Sequence, residues 1–203
     1  MKKYIKYFLW MLTILGLQAF IYFITKHLIT EYHIMNTIID VPFIKYFIYP
    51  YNIWYPFVIL SSFLIYKYNN IKFKPFIISM ILVSILAEIT FFIYPTEVIR
   101  PEVTVNDFTT WLIDFTYKSD TPAVHCLPSV HCLFTFISTY YVLISKNIKS
   151  YKKITLSIVA ILIVLSTIFI KQHIVEDIFL ALIYATIVLL TMEKMDNSPN
   201  IKR

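Results

Sequence analysis

Glycine and charge are both scarce in this sequence. The 203-residue chain has a single glycine, Gly16, and only 15% of its residues are charged, whereas 59% are hydrophobic. Soluble domains carry about 25% charged residues, so the composition excludes an ordinary water-soluble domain and indicates a protein whose solvent is lipid. Cysteine is also rare, and Cys126 and Cys132 are too few for a disulfide framework.

Long apolar runs predict six membrane-spanning segments. A spanning helix needs about 20 mostly apolar residues, and such runs lie at residues 7–24, 54–68, 76–94, 130–145, 154–170 and 174–192. Continuous runs lack the alternation of barrel strands. We therefore predict an all-α integral membrane bundle of about six transmembrane helices, as a single membrane domain over residues 1–203. The first run has no small-residue cleavage site after it, so we interpret it as a retained span.

The basic residues predict the orientation in the membrane. The formal charge of +6 is spread over short loops, which favours topology signalling over nucleic-acid binding. With a cytoplasmic N-terminus, five basic residues face outward: Lys26, Lys45, Arg100, Lys118 and Lys171. The other thirteen face the cytoplasm: Lys2, Lys3, Lys6, Lys67, Lys72, Lys74, Lys146, Lys149, Lys152, Lys153, Lys194, Lys202 and Arg203. We expect a multi-pass plasma membrane protein with both termini cytoplasmic. The outer connection 95–128 then holds five of the twelve acidic residues, and its residues 107–117 suit a short interfacial helix.

A histidine and an aspartate begin the last predicted span. His173 and Asp177 are four residues apart, which places them on one face of a helix. The carboxylate can hold one imidazole nitrogen and leave the other free to attack or to accept a proton. The alternative is an interfacial pair that only caps the helix.

Two further segments carry polar residues to the same predicted face. Pro128 and Ser129 precede an apolar run, which is a helix-start signal. The unpaired N–H groups of a helix start favour an anion, and His131 lies in that first turn. Arg100 is the only arginine outside the C-terminal tail, and its planar fork of donors suits phosphate oxygens. The alternatives are an ordinary N-cap with a bystander histidine and an arginine that binds head groups or sets topology.

Together these segments resemble the type-2 phosphatidic acid phosphatase family. That family carries K-x6-R-P, then P-S-G-H, then S-R-x5-H-x3-D. This chain has R-P at 100–101, P-S-V-H at 128–131 and S-T-x5-H-x3-D at 166–177, in the same order. The six-helix layout extends the resemblance to a core of about residues 54–192.

The resemblance implies a role for each matching residue. His173 would be the nucleophile that forms a phosphohistidine, Asp177 would orient it, and His131 would be the general acid. The phosphoryl oxygens would be held by Arg100, Ser129 and the N–H of Val130. The family needs no metal and no cofactor.

The sequence departs from the family at three positions. Ile93 stands where the family has its lysine, Thr167 where it has the arginine of the third motif, and Val130 where it has glycine. Lys171 is a candidate for supplying one of the missing charges. The third motif in this form resembles a divergent branch related to sphingolipid head-group transferases.

The resemblance implies a metal-independent lipid phosphatase that hydrolyses a phosphate monoester or diphosphate of a lipid at the outer membrane face. Its partners would be a lipid phosphate and the bilayer, with no nucleic acid. Two alternatives stay open: a phospho-head-group transferase between lipids, similar to inositol phosphorylceramide synthase, and a non-catalytic lipid-binding membrane protein. The sequence names neither the lipid nor the oligomeric state.

Three other polar residues in or near the spans have simpler interpretations. Glu88 lies inside the third span, where we expect a structural hydrogen bond within the bundle. Cys126 and Cys132 each follow a histidine, but adjacent residues diverge on a helix, which disfavours a metal site. A helix start between the two cysteines also disfavours a disulfide.

Overall fold

The computed structural model describes residues 2–196, and helices account for most of them. The helices are α1 (Lys2–Leu28), α2 (Ile48–Tyr68), α3 (Asn70–Ile93), α4 (Phe108–Ser119), α5 (Val130–Ile144), α6 (Ser150–Phe169) and α7 (Val175–Asp196). Two three-residue strands, β1 (His33–Met35) and β2 (Thr96–Val98), pair in parallel. The predicted all-α membrane bundle is confirmed.

All six predicted spans are helical. Four helices, α2, α3, α6 and α7, are long and apolar enough to cross a membrane. The apolar part of α1 (Leu12–Leu28) and α5 (Val130–Ile144) are apolar but shorter. The second span begins earlier than predicted, at Ile48. Pro50 lies in the first turn of α2, where a missing N–H costs no helical hydrogen bond. The helix therefore includes residues 48–53, which the sequence prediction left outside the span.

The long helices run alternately up and down. The C-terminal ends of α1, α3 and α6 therefore lie together with the N-terminal ends of α2, α5 and α7, and we call this the upper end of the bundle. Pairing of β1 with β2 joins the segments that follow α1 and α3. The N–H of Ile44, just before α2, donates to Phe169 O at the end of α6 (2.9 Å), and Ser129 N donates to Asp177 O (3.4 Å). At the opposite end, Asn69 Nδ2 donates to Ser145 Oγ (3.0 Å).

The core is built around α5, which packs against α2, α3, α6 and α7. Its Leu133, Phe134 and Ile137 are completely buried. By contrast, Ile154, Ile158 and Ile161 of α6 are all more than half exposed. Apolar side chains on the outside of a bundle suit a hydrocarbon solvent, because side chains that face lipid are not exposed to water.

The connection between α3 and α5 is held in place by Thr96. Its N–H donates to Val124 O (3.2 Å), its carbonyl accepts from Cys126 N (3.3 Å), and its hydroxyl oxygen accepts from Leu127 N (3.0 Å). The short helix predicted at residues 107–117 is present as α4, capped by Asp107, whose carboxylate accepts from Thr110 N (2.7 Å). These contacts fix the loop that leads into α5.

Candidate active site

His173 and Asp177 form a buried pair at the start of α7. Nδ1 of His173 lies 3.0 Å from Asp177 Oδ2 and 2.9 Å from the carbonyl oxygen of Cys126. A carbonyl accepts only, as does an ionised carboxylate, so Nδ1 carries the hydrogen that donates to them. In the neutral ring Nε2 then keeps its lone pair. The arrangement therefore presents Nε2 of His173 as the free nitrogen.

The α6–α7 connection sets the position of His173. The carbonyl of Thr167 accepts from both Gln172 N and His173 N, each at 3.0 Å. Lys171 adopts a left-handed conformation with φ 53°, which reverses the chain directly after α6. Asp177 is completely buried, and its Oδ2 also accepts from Ile174 N (3.1 Å). His173 is thus held through its backbone by Thr167 before the turn and through its imidazole by Asp177 after it.

His131 lies in the first turn of α5, between aromatic rings of α2. Its ring stacks on Tyr51 (centroids 4.2 Å apart) and lies tilted against Trp54 (4.3 Å), and Trp54 Nε1 donates to His131 O (3.1 Å). Nε2 of His131 is buried and has no hydrogen-bond partner within residues 2–196. His131 and His173 both line one cavity. The two histidines therefore form a pair at one site.

Ser129 is the N-cap of α5, as the sequence predicts, and its Oγ accepts from Cys132 N (3.3 Å). The N–H groups of Val130 and His131 have no helical carbonyl to bind, since the helix begins there. Val130 and His131 line the same cavity as His173. The start of α5 thus offers an anion two open backbone donors.

A cavity of about 540 Å³ contains this site. His131, Gln172 and His173 line it, and so do residues of α1 and α2 such as Gln18, Tyr22 and Tyr55. Residues near the end of α4, including Phe115 and Asp120, complete the lining. The cavity is therefore much larger than a phosphate needs, and much of its wall comes from parts of the chain that carry none of the predicted motifs.

Arg100 lies next to the cavity but outside its lining. Its guanidinium forms an ion pair with Asp120, donates to Gln172 Oε1 and lies over the ring of Tyr117 (5.1 Å). Gln172 lines the cavity and its Nε2 has no partner in the described part of the chain. Arg100 thus fixes the amide of Gln172, so that the amide hydrogens rather than the guanidinium meet the cavity.

The structure does not bring the other candidate cation into the cavity. Lys171 Nζ pairs with Asp40 Oδ1 (2.7 Å), and Lys171 is not among the lining residues. Ile93, at the family's lysine position, is 75% exposed at the end of α3. Thr167, at the arginine position, is fully buried against Cys132. The positive charge near the histidines is therefore held by Arg100 alone among these positions.

A polar network that the motifs did not reveal lies on the α1 side of the cavity. Glu88 accepts from Gln18 Nε2 (2.8 Å) and from the Thr25 hydroxyl (3.3 Å), so the hydrogen bond predicted for Glu88 inside the bundle is confirmed. Thr25 Oγ1 also lies 3.1 Å from His125 Nε2. No sequence signal links these residues, because each is an isolated polar side chain whose partner is 63 or more residues away.

Both cysteines are free and buried. Cys126 Sγ donates to Ala123 O (3.2 Å), and Cys132 Sγ lies 3.9 Å from Thr167 Oγ1. Within residues 2–196, no group of three His, Cys, Asp or Glu side chains is arranged to hold a metal ion.

The bundle and its site define a helical membrane protein with two histidines and a buried aspartate around one cavity. A family model described as the PAP2 superfamily matches residues 72–198, more than half of the chain, so the chain belongs to the PAP2 superfamily. This confirms the resemblance to type-2 phosphatidic acid phosphatases. Membership indicates phosphatase or related phosphotransferase activity. Comparisons with curated proteins and with solved structures gave no significant match.

Proposed function

We propose that the protein is a metal-independent lipid phosphatase that acts through a phosphohistidine on His173. The observation that carries the proposal is the double contact of His173 Nδ1 with Asp177 and Cys126 O, which leaves Nε2 free in a cavity shared with His131. A nucleophile oriented by a base and a third group is the general pattern of covalent catalysis. Asp177 also stabilises the positive charge that develops on the ring.

The proposed reaction has two steps. Nε2 of His173 attacks phosphorus, the P–O bond to the lipid breaks, and His131 in its protonated form gives its proton to the leaving oxygen. Water then attacks the phosphohistidine, the P–N bond breaks with its electron pair returning to Nε2, and neutral His131 takes the proton from water. Free phosphate and a lipid alcohol are the products, and both histidines end in their starting states.

The phosphoryl oxygens need donors in both steps. We assign this role to the N–H groups of Val130 and His131 and to the amide of Gln172, which Arg100 holds. Ser129 is completely buried and does not line the cavity, so we assign it to positioning the start of α5 as its N-cap. Lys171 is left out because its ammonium lies on Asp40. Preorganised neutral donors in a water-poor cavity can stabilise developing charge without a full set of cations.

The membrane orientation is also part of the proposal. Among residues 2–196, the upper end carries Lys26, Lys45, Arg100, Lys118 and Lys171, whereas the opposite end carries eleven basic residues. Basic loops favour the cytoplasm. The site would therefore open to the outer face of a plasma membrane, with the N-terminus inside. Two of the basic residues counted from the sequence, Lys202 and Arg203, lie outside the described residues.

A second reaction fits the same site. The 540 Å³ cavity has room for more than a phosphate and one water, since a water occupies about 30 Å³ of liquid. An alcohol held in the remaining space could take the phosphoryl or phospho-head group from His173 in place of water. Transfer between lipids is therefore the alternative that the cavity favours over simple binding without catalysis.

Phosphate release from purified protein tests the proposal. Lipid phosphates that differ in tail and head, such as phosphatidate, phosphatidylglycerol phosphate and an isoprenyl diphosphate, are supplied with a chelator present. We expect release from at least one of them by wild type and none by His173→Ala. The control His27→Ala removes an exposed histidine outside the cavity and should keep wild-type release. Equal release by His173→Ala and wild type would exclude the mechanism.

A further inference from the structure

The α1 side of the cavity holds two buried acceptor atoms that no protein group satisfies. Gln18 and His125 both line the cavity, and their side chains are over 90% buried. Gln18 Oε1 and His125 Nδ1 have no hydrogen-bond partner within residues 2–196. Leaving a buried polar atom unpaired is destabilising, because the atom loses its hydrogen bond to water without replacement. Such atoms on a cavity wall indicate a ligand that supplies what the protein does not.

The rest of the network fixes both atoms as acceptors. A carboxylate only accepts, so the Gln18 amide nitrogen is the atom that meets Glu88 (2.8 Å), and the amide oxygen is left over. Thr25 has one hydroxyl hydrogen, and Ile21 O (2.9 Å), Tyr22 O (3.2 Å) and the Glu88 carboxylate (3.3 Å) are the acceptors that compete for it. His125 Nε2 therefore donates to Thr25 Oγ1, and Nδ1 keeps a lone pair.

The imidazole of His125 stays neutral, which a hydrogen-bond acceptor requires. Burial, with a smaller effect of the nearby Lys26 charge, lowers the pKa of His125 to about 4. Its ring packs against Tyr22 (4.5 Å) and Phe91 (4.7 Å). Lys26 also disfavours a cationic ligand close to His125. The group that complements two neutral acceptors in this setting is a hydroxyl.

We propose that Gln18 and His125 form a hydroxyl-binding subsite in the same cavity as the paired histidines. It would take the hydroxyls of a polyol, supplied either by the head group of a phospholipid bound at His173 or by a separate alcohol that accepts the phosphoryl group. The subsite rests on the proposed function for its biological role. Its binding chemistry, however, depends only on the two acceptors.

The subsite is tested by binding in a His173→Ala background, so that no turnover occurs. Full-length protein in detergent is titrated with two short-chain lipids of equal charge: phosphatidylglycerol, whose head group has hydroxyls, and phosphatidylpropanol, whose head group has none. Binding is followed by the shift of the melting temperature. We expect about tenfold tighter binding of phosphatidylglycerol, the preference that one or two ordinary hydrogen bonds supply.

The preference should disappear in Gln18→Met and in His125→Phe, which keep the size and packing of each side chain but remove its acceptor. Each variant tests one acceptor separately, so a folding defect in one leaves the other informative. Thr186→Val is the matched control, because it removes an exposed helix hydroxyl far from the cavity lining. It should retain the preference.

A further arm separates the two sources of the hydroxyl. Free glycerol is added to the phosphatidylpropanol complex of His173→Ala with and without Gln18→Met, so that general effects of glycerol cancel. A gain in stability that depends on Gln18 identifies a separate alcohol, and a preference seen only for phosphatidylglycerol identifies the head group.

Equal binding of the two lipids without a Gln18-dependent glycerol effect would overturn the subsite, as would binding of neither lipid. Tighter binding of phosphatidylethanolamine than of phosphatidylglycerol would also overturn it. These results are distinct from the phosphate-release assay. A preserved preference without phosphate release would remove the proposed reaction and leave the subsite, and release without preference would do the reverse.

Discussion

In the proposed reaction, the reactivity of His173 depends most directly on Asp177. Its carboxylate is completely buried, and its contact with Nδ1 fixes the tautomer. Asp177→Asn keeps the shape but removes the charge, and the amide can present a hydrogen to Nδ1. We expect kcat for phosphate release to fall by about three to four orders of magnitude, because an aspartate that orients the catalytic histidine of a Ser-His-Asp triad contributes about that much.

The neighbouring carboxylate provides the control for that substitution. Glu176 accepts from Ile38 N (2.8 Å) and from the Thr37 hydroxyl (3.2 Å), in the segment after β1 rather than in the cavity. Glu176→Gln should keep kcat within about threefold of wild type. Wild-type kcat in Asp177→Asn would show that His173 acts without its aspartate.

Substitution of Lys171 tests two points: whether its left-handed backbone is strained, and whether its side chain binds the phosphate of the substrate. A left-handed conformation costs a non-glycine residue roughly 1–2 kcal/mol, and Lys171 has φ 53°. Its ion pair with Asp40 contributes little, because Asp40 is 86% exposed. Lys171→Gly should therefore raise the melting temperature slightly or leave it unchanged, and KM for the lipid phosphate should not change.

The matched variant for Lys171 is Asp40→Asn, which breaks the ion pair and leaves the backbone as it is. It should leave both the melting temperature and KM near wild type. A rise in KM for Lys171→Gly but not for Asp40→Asn would mean that the lysine leaves Asp40 and binds the phosphate when substrate is present.

Among the helices, α4 presents a row of exposed aromatic rings, and residues near its end line the cavity. Phe108, Trp111 and Phe115 stack along its exposed side, with neighbouring ring centroids 5.6 and 5.7 Å apart. Its opposite side buries Ile113. Aromatic rings settle at the head-group layer of a bilayer. We expect α4 to lie in that layer, with Phe115 reaching the cavity lining.

Tryptophan fluorescence in vesicles checks the depth of α4. The signal of Trp111 is the difference between wild type and Trp111→Phe. Lipids brominated close to the head group should quench it more strongly than lipids brominated near the chain end. Quenching by aqueous iodide without quenching by either lipid would place α4 in water instead.

The helices were largely predictable from the sequence, but their contacts were not. Continuous apolar runs are local signals, and so is the cap at Ser129. The earlier start of α2 was missed because tyrosines, Pro50 and Asn52 lower its apolar character, although Asn52 Nδ2 bonds within the helix to Ile48 O (2.9 Å). A hydropathy scale counts Asn52 as polar whether or not its side chain is hydrogen-bonded within its own helix.

The candidate site was predictable only where a short motif spans it. His131, His173 and Asp177 follow from spacing and family pattern, and the structure brings the two histidines to one cavity. The ion pair of Arg100 with Asp120 and the meeting of Gln18 with Glu88 depend on packing between helices distant in sequence. A single sequence carries no local signal for such pairs.

In the molecule as a whole, the matched family region and the helices that precede it contribute different residues to the cavity. Residues 72–198 contain the histidines, the aspartate and the start of α5. The helices α1 and α2, which precede that region, supply much of the remaining cavity wall. We infer that the chemistry belongs to the family region and that α1 and α2 select what enters the cavity.

The asymmetry of basic residues makes a prediction for the molecule in its membrane. Both native cysteines are buried, so single introduced cysteines can report on each end. Ile38→Cys marks the upper end, where Ile38 is 88% exposed, and Lys149→Cys marks the opposite end. A membrane-impermeant maleimide should label the first variant in intact cells and the second only after permeabilisation. The reverse pattern would place the site in the cytoplasm.

The central claim is that His173 carries the phosphoryl group during turnover. The direct measurement is rapid quenching in base of the full-length protein with a lipid phosphate labelled in its phosphoryl group, since phosphohistidine survives base. Peptide mass spectrometry then locates the label. We expect a phosphohistidine at His173 in wild type, its absence in His173→Ala and its presence in His27→Ala. Substrate turnover with label on another residue, or with none on the protein at all, would contradict it.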